Sequence, residues 1–213
     1  MQINKINAFA SLAVASGLSL IQSGNASATT MGLSYEETAS GITGNGAGTV
    51  FTSLPASAGY TNTFGASAGD ITGAPGYSFY DDYIFTVANA TVDSVTSEIN
   101  LGTLSLGSLQ ERLYSTAGNT KLPVLGSPAG LQVPWTTAVG FTAGTETGML
   151  TVVSPTRLTA GTYVLEIRGE VTGSSGGTYS GQLNLNPVPL PAALPLLLSG
   201  LGLLGGLVRK QFV

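Results

Sequence analysis

Two consecutive aspartates, Asp81 and Asp82, interrupt the aromatic run FYDDYIFTV from Phe79 to Val87. Carboxylates of this kind hold calcium or magnesium through oxygen ligation, or work in pairs as general acid and base. On an extended strand, neighbours point to opposite faces, so the two cannot act together while the strand stays regular. Asp81 then falls on the face of Phe79, Tyr83, Phe85 and Val87, and Asp82 on that of Ile84 and Thr86. A carboxylate among inward aromatics needs loop N–H groups, an arginine or a cation, because unpaired it is too costly to persist ionised. Asp81 and Asp82 are therefore the candidate metal residues, with calcium the candidate ion and a bonded structural aspartate the competing assignment.

Other chemistry is thinner. Glu166 and Glu170 lie four residues apart, about 13 Å at strand rise, beyond the spacing of glycosidase carboxyl pairs. Arg168 between them suggests a solvated ladder of charges. Tyr60, Tyr77, Tyr80 and Trp135 are aromatics of the kind that stack on sugar rings, although Trp135, following Pro134, equally suits a plug at the end of the fold. Histidine and cysteine are absent from the chain. That removes imidazole bases, thiolate nucleophiles, disulfides and the ordinary ligands of zinc, copper or haem. No catalytic residue set is assigned, and the chain is expected to be non-enzymatic.

The elements that position these residues read as strands. Strand-length segments follow at Val92–Ile99, Leu104–Tyr114, Val139–Phe141 and Met149–Val153. Tyr163, Leu165, Ile167, Gly169 and Val171 alternate with Thr162, Glu166, Arg168 and Glu170, which predicts one buried and one wet face. Tyr179, Gly181, Leu183 and Leu185 repeat the pattern, and the glycine-rich 173–177 segment between the two runs predicts a hairpin. Tyr163, Leu165, Ile167, Leu183 and Phe85 are expected in the core. Residues 29–76, rich in Gly, Ser, Thr and Ala, read as loop with one or two strands, and Pro75-Gly76 as a turn. The expected fold is all-β, an antiparallel two-layer β-sandwich of jelly-roll-like form over 77–186, with an incomplete barrel as the alternative.

Both ends of the chain read as export signals. Lys5, an apolar run from Ala8 to Ile21 and the small residues Ala26-Ser27-Ala28 form a signal peptide over 1–28, with Thr29 as the mature N-terminus. At the other end, 187–213 carries Val188-Pro189-Leu190-Pro191, an uncharged apolar stretch over 192–208, and Arg209-Lys210. About 17 residues at 1.5 Å rise give roughly 25 Å of helix, enough for a thin bilayer. The basic pair favours the cytoplasmic side, which places the rest of the chain outside the cytoplasm. The region between the signals carries eleven acidic residues against Arg112, Lys121, Arg157 and Arg168, a balance that disfavours nucleic acid.

The linker, apolar helix and basic pair together resemble the PEP-CTERM sorting signal of Gram-negative bacteria, the substrate tail of the membrane peptidase exosortase, with Leu190 where a glutamate usually stands. Phe79-x-Asp81-x-Tyr83 with Leu158-x-Ala160-Gly161-Thr162-Tyr163 resembles the FxDxF group of PEP-CTERM proteins, with Tyr83 in place of the second phenylalanine. The resemblance implies export by the Sec machinery, an inner-membrane intermediate held by the C-terminal helix, processing by exosortase, and release or attachment at the cell surface. It implies a structural component of the extracellular polysaccharide or biofilm matrix. The alternative is a calcium-dependent carbohydrate-binding module built on Asp81, Asp82 and exposed aromatics.

Overall fold

The computed structural model describes residues 27–31, 35–38, 41–43, 48–65 and 74–188. The segment up to Ala26, expected to be a signal peptide, and the tail from Pro189 onward, including Leu190, Pro191, the 192–208 stretch, Arg209 and Lys210, lie outside them. The described chain is all-β: β1 (Ser27–Thr30), β2 (Tyr35–Thr38), β3 (Gly41–Thr43), β4 (Thr49–Val50), β5 (Ala56–Gly65), β6 (Ser78–Val87), β7 (Ala90–Asn100), β8 (Leu106–Ser115), β9 (Leu131–Val133), β10 (Val139–Ala143), β11 (Glu146–Leu158), β12 (Gly161–Val171) and β13 (Gly176–Pro187). The first sheet has the order β1-β5-β13-β7-β11-β10, and the second β3-β2-β6-β12-β8-β9 with β4 also on β6. Two separate sheets pack face to face, not one curled into a barrel.

Both sheets are mixed, which corrects the purely antiparallel expectation. β1 runs parallel to β5 and β4 parallel to β6, while the remaining pairs are antiparallel. The 29–76 region also holds more structure than expected, since β5 is a ten-residue strand between β1 and β13. Its inward set is Ala56, Ala58, Tyr60 and Phe64, and the small side chains at its start weaken the hydrophobic alternation that marks a strand. Thr29 and Thr30 follow Ser27 and Ala28 in β1, so cleavage after Ala28 would divide this strand. Met31 would remain buried beyond the cut, its N–H donating to the Gly59 carbonyl at 2.8 Å.

The hairpin expected between the last two strands is also corrected. β12 pairs with β6 and β8 in the second sheet, whereas β13 pairs with β5 and β7 in the first. The 172–175 segment therefore arches from one sheet to the other. It is held by the N–H groups of Thr172 and Gly173 on the Ser105 carbonyl and of Ser175 on the Thr103 carbonyl. A Cβ at Gly173 would meet Ser105 N and Thr103 O at 2.4 Å, so only glycine allows this approach.

The inward faces meet as the alternation predicts. Phe85, Tyr163, Leu165, Ile167 and Leu183 are all buried. Phe79 stacks on Phe64 at 4.3 Å and on Tyr179 at 5.7 Å between ring centroids, and Tyr60 packs on Tyr83 at 4.9 Å. Aromatic pairs at these separations add specificity to the area they bury. Gly169 lies over the Phe79 ring, where a Cβ would come within 2.7 Å, which explains a small residue on an otherwise apolar face.

Candidate functional site

Asp81 and Asp82 project from β6 to opposite faces, and both are fully buried. Cross-strand register extends each into a row of the second sheet. On the inner face the row is Asp81, Ile167 and Glu111; on the outer face it is Asp82, Glu166 and Arg112. The two aspartates thus enter two separate polar clusters and cannot ligate one ion.

The inner cluster lies between the sheets. Asn62 Nδ2 donates to Asp81 Oδ2 at 2.9 Å, and the Tyr179 hydroxyl donates to the same oxygen. The Tyr83 and Tyr179 hydroxyls are 2.8 Å apart. Both of these donors to Asp81 are side chains of the facing sheet. Glu111, across Ile167, accepts hydrogen bonds from Ser94 Oγ at 2.9 Å and Thr96 Oγ1 at 2.8 Å. Burial pushes its carboxyl above the usual range, and these hydroxyls partly offset the rise.

The outer cluster is buried because a connection folds across it. Arg112 Nη1 donates to the Gly126 carbonyl at 2.8 Å, and Nη2 donates to that of Val124. Asn119 and Ala129 exchange hydrogen bonds within the same connection, and Gln110 Nε2 holds the Thr136 carbonyl at 2.9 Å. Beneath it, Arg112 Nη2 pairs with Glu166 Oε1 at 2.7 Å, and the Tyr114 hydroxyl donates to Oε2 at 2.7 Å. This corrects the solvated ladder: Glu166 is fully buried, while Arg168 and Glu170 are half-buried.

Asp82 completes this cluster. Among the described residues no N–H or hydroxyl donor reaches either of its oxygens, and across the ladder it stands opposite the buried carboxyl of Glu166. Two buried carboxyls placed opposite each other do not both ionise, so the pair retains a proton. Burial first, then the charge of Glu166, pushes the Asp82 pKa up to about 9, with Arg112 acting in the opposite sense. Glu166 is also raised by burial, against the opposing pull of Arg112 and its hydrogen-bond donors. A carboxylic acid, a carboxylate and an arginine in one row are chemically an acid–base pair with a counter-ion. The covering connection leaves both carboxyls fully buried, without the water that glycoside hydrolysis consumes.

Trp135 is half-buried against the outer face of the second sheet. The guanidinium of Arg112 lies 4.3 Å and that of Arg168 4.0 Å from its ring centroid. Tyr80 meets its ring edge-on at 6.2 Å. Tyr60 and Tyr77, the other two candidate sugar-binding aromatics, belong to the core. Arg112, Glu111 and Tyr114 were not singled out in the sequence. A usable signal was present, since Glu111-Arg112 interrupts the apolar strand from Leu106 to Tyr114 just as Asp81-Asp82 interrupts its own.

Among the described residues no group of three or more acidic side chains is arranged to hold a metal ion. No protein-family model matches the sequence, and no curated protein is recognisably similar to it.

Proposed function

We propose that this chain is an exported, non-enzymatic surface module of the PEP-CTERM type. In this reading residues 1–28 direct export through Sec, 192–208 hold the membrane intermediate, exosortase recognises the tail and processes it near the Val188–Pro191 linker, and the domain joins the extracellular polysaccharide matrix. The carrying observation is that the carboxylates with strongly perturbed surroundings serve the interior. Asp82 and Glu166 lie beneath the 116–138 connection, and Glu111 lies between the sheets. The described solvent-facing acids Asp93, Glu146 and Glu170 lie on three different strands.

A jelly-roll reading of the sandwich core accompanies this proposal. The support is the strand order: β5-β13-β7-β11 faces β6-β12-β8-β9, with successive long strands alternating between sheets. Such a body is a scaffold of packed faces, suited to display and contact.

The test is the mass and location of the protein in cells with and without exosortase. The expected product begins at Thr29, lacks the tail and fractionates with the surface or matrix. An unchanged, membrane-bound tail in both strains would instead indicate a permanent anchor, and full-length protein in the cytosol would overturn the proposal.

A further inference from the structure

Beside the Trp135 clamp, the outer face of the second sheet opens into a depression of about 340 Å³, bordered by Ser78, Tyr80, Ser108, Gln110, Arg168 and Glu170. Three features build it. β8 carries one extra residue where Arg168 pairs with Gln110 and Glu170 with Gly107, and the resulting bulge places Ser108 at φ 54°. A non-glycine residue in left-handed backbone is uncommon, and bulges of this kind re-aim side chains beside binding sites. Gly169 forms the floor, packed on Phe79. Arg168 is immobilised on one side of the depression, its guanidinium on Trp135 and its Nε and Nη2 both donating to Gln110 Oε1.

That immobilisation decides what the depression can take. A guanidinium has five N–H donors, and only those directed to Gln110 are used among the described residues. The others form a fixed planar fork suited to a carboxylate. The two guanidinium groups lie 4.0 and 4.3 Å from the Trp135 ring centroid, so a neutral sugar would have to compete with them for that ring. Ser78, Ser108 and Tyr80 supply hydroxyls, and Glu170 supplies an acceptor for ligand hydroxyls that also opposes a simple polyanion. We infer that this depression binds a hydroxylated carboxylate of the uronic-acid class, with Arg168 on the carboxylate and Glu170 with the serines on the hydroxyls. The inference rests on the surface-module reading only for where such a ligand would be met.

Trp135 is the sole tryptophan of the chain, so its fluorescence reports directly on Arg168. Purified mature domain would be titrated with galacturonate oligomers in the presence of EDTA, with malto-oligosaccharides and inorganic sulfate as comparison ligands. A saturable change in emission is expected with the uronate alone. Arg168→Lys keeps the charge but loses the fork, and Gln110→Glu sets a carboxylate against the Nε side of the guanidinium and neutralises its charge; each should bind about tenfold more weakly or worse, as expected for loss of a charge-assisted hydrogen-bond pair. No saturable response, equal binding by folded variants, or an equal response to sulfate would overturn the assignment. Sorting and mass in cells are read separately, so a correctly exported protein that ignores uronate would refute this inference and leave the surface-module proposal standing.

Discussion

Asp82 on β6 and Glu166 on β12 stand directly opposite each other in the antiparallel ladder, both fully buried, and two such neighbouring carboxyls retain a proton rather than both ionise. Arg112 neutralises Glu166 from the other side. The cluster therefore holds one positive and one negative charge as long as Asp82 stays protonated.

A pH dependence follows. The folded Asp82 pKa of about 9 lies above its unfolded value near 4, so the native state binds more protons between these limits. This contribution is complete below about pH 4 and is lost as pH rises through about 9. Glu166, Glu111 and Glu98, all raised by burial, act in the same sense. Thermal denaturation should show a Tm lower at pH 8 than at pH 5. Asp82→Asn, which cannot ionise, should raise the Tm at pH 8 by about 3 °C or more and change it little at pH 5, taking roughly 2–4 °C per kcal/mol. A parallel response of both proteins to pH would contradict the retained-proton arrangement.

Arg112 is expected to be the most sensitive residue of the outer face. Arg112→Met strands a buried carboxylate and releases two carbonyls of the covering connection, at a cost of about 3–5 kcal/mol. Adding Glu166→Gln should recover at least about 1 kcal/mol, because the uncompensated charge is gone. Chemical denaturation measures both, and Trp135 emission should shift to the red as one of its stacked cations disappears.

Between the sheets, Tyr179→Phe removes a donor from Asp81 and the hydroxyl partner of Tyr83 without changing ring packing. The expected loss is about 1–3 kcal/mol in urea unfolding. Thr63→Val, at an exposed hydroxyl pair with Thr178, should stay within about 0.5 kcal/mol. Equal effects would show that the Tyr179–Asp81 bond adds nothing to stability.

Leu165 is fully buried in β12 between β6 and β8. Leu165→Ala should cost about 2–5 kcal/mol through lost transfer and an unfilled cavity. A near-neutral change in the denaturant midpoint would mean that the assigned core face is wrong.

Calcium offers a separate check. An ion held by the native state raises its stability according to concentration over Kd. Since Asp81 and Asp82 diverge to opposite faces, millimolar calcium should leave the Tm unchanged, and EDTA should do the same. A rise of several degrees would restore the calcium-dependent carbohydrate-binding alternative, with ligands outside this pair.

The sequence determined the strand faces. The period-two alternation of β6, β12 and β13 is a local property of extended backbone, so the inward set Phe85, Tyr163, Leu165, Ile167 and Leu183 was legible residue by residue. The divergence of Asp81 from Asp82 was legible for the same reason, as was the exclusion of imidazole and thiol chemistry. The expectation that both ends serve export rests on sequence alone, since these ends lie outside the described residues apart from a few at their borders.

Pairing across the chain was decided only in three dimensions. Whether β12 and β13 form a hairpin or join two sheets depends on non-local contacts, and both arrangements satisfy the same alternation. The outer face of β12 has the pattern of a wet surface, yet Glu166 is buried because a connection without periodicity is drawn across it by Arg112, Gln110 and Trp135. Alternation assigns a side chain to a face; whether that face meets water depends on what the remainder of the chain lays over it.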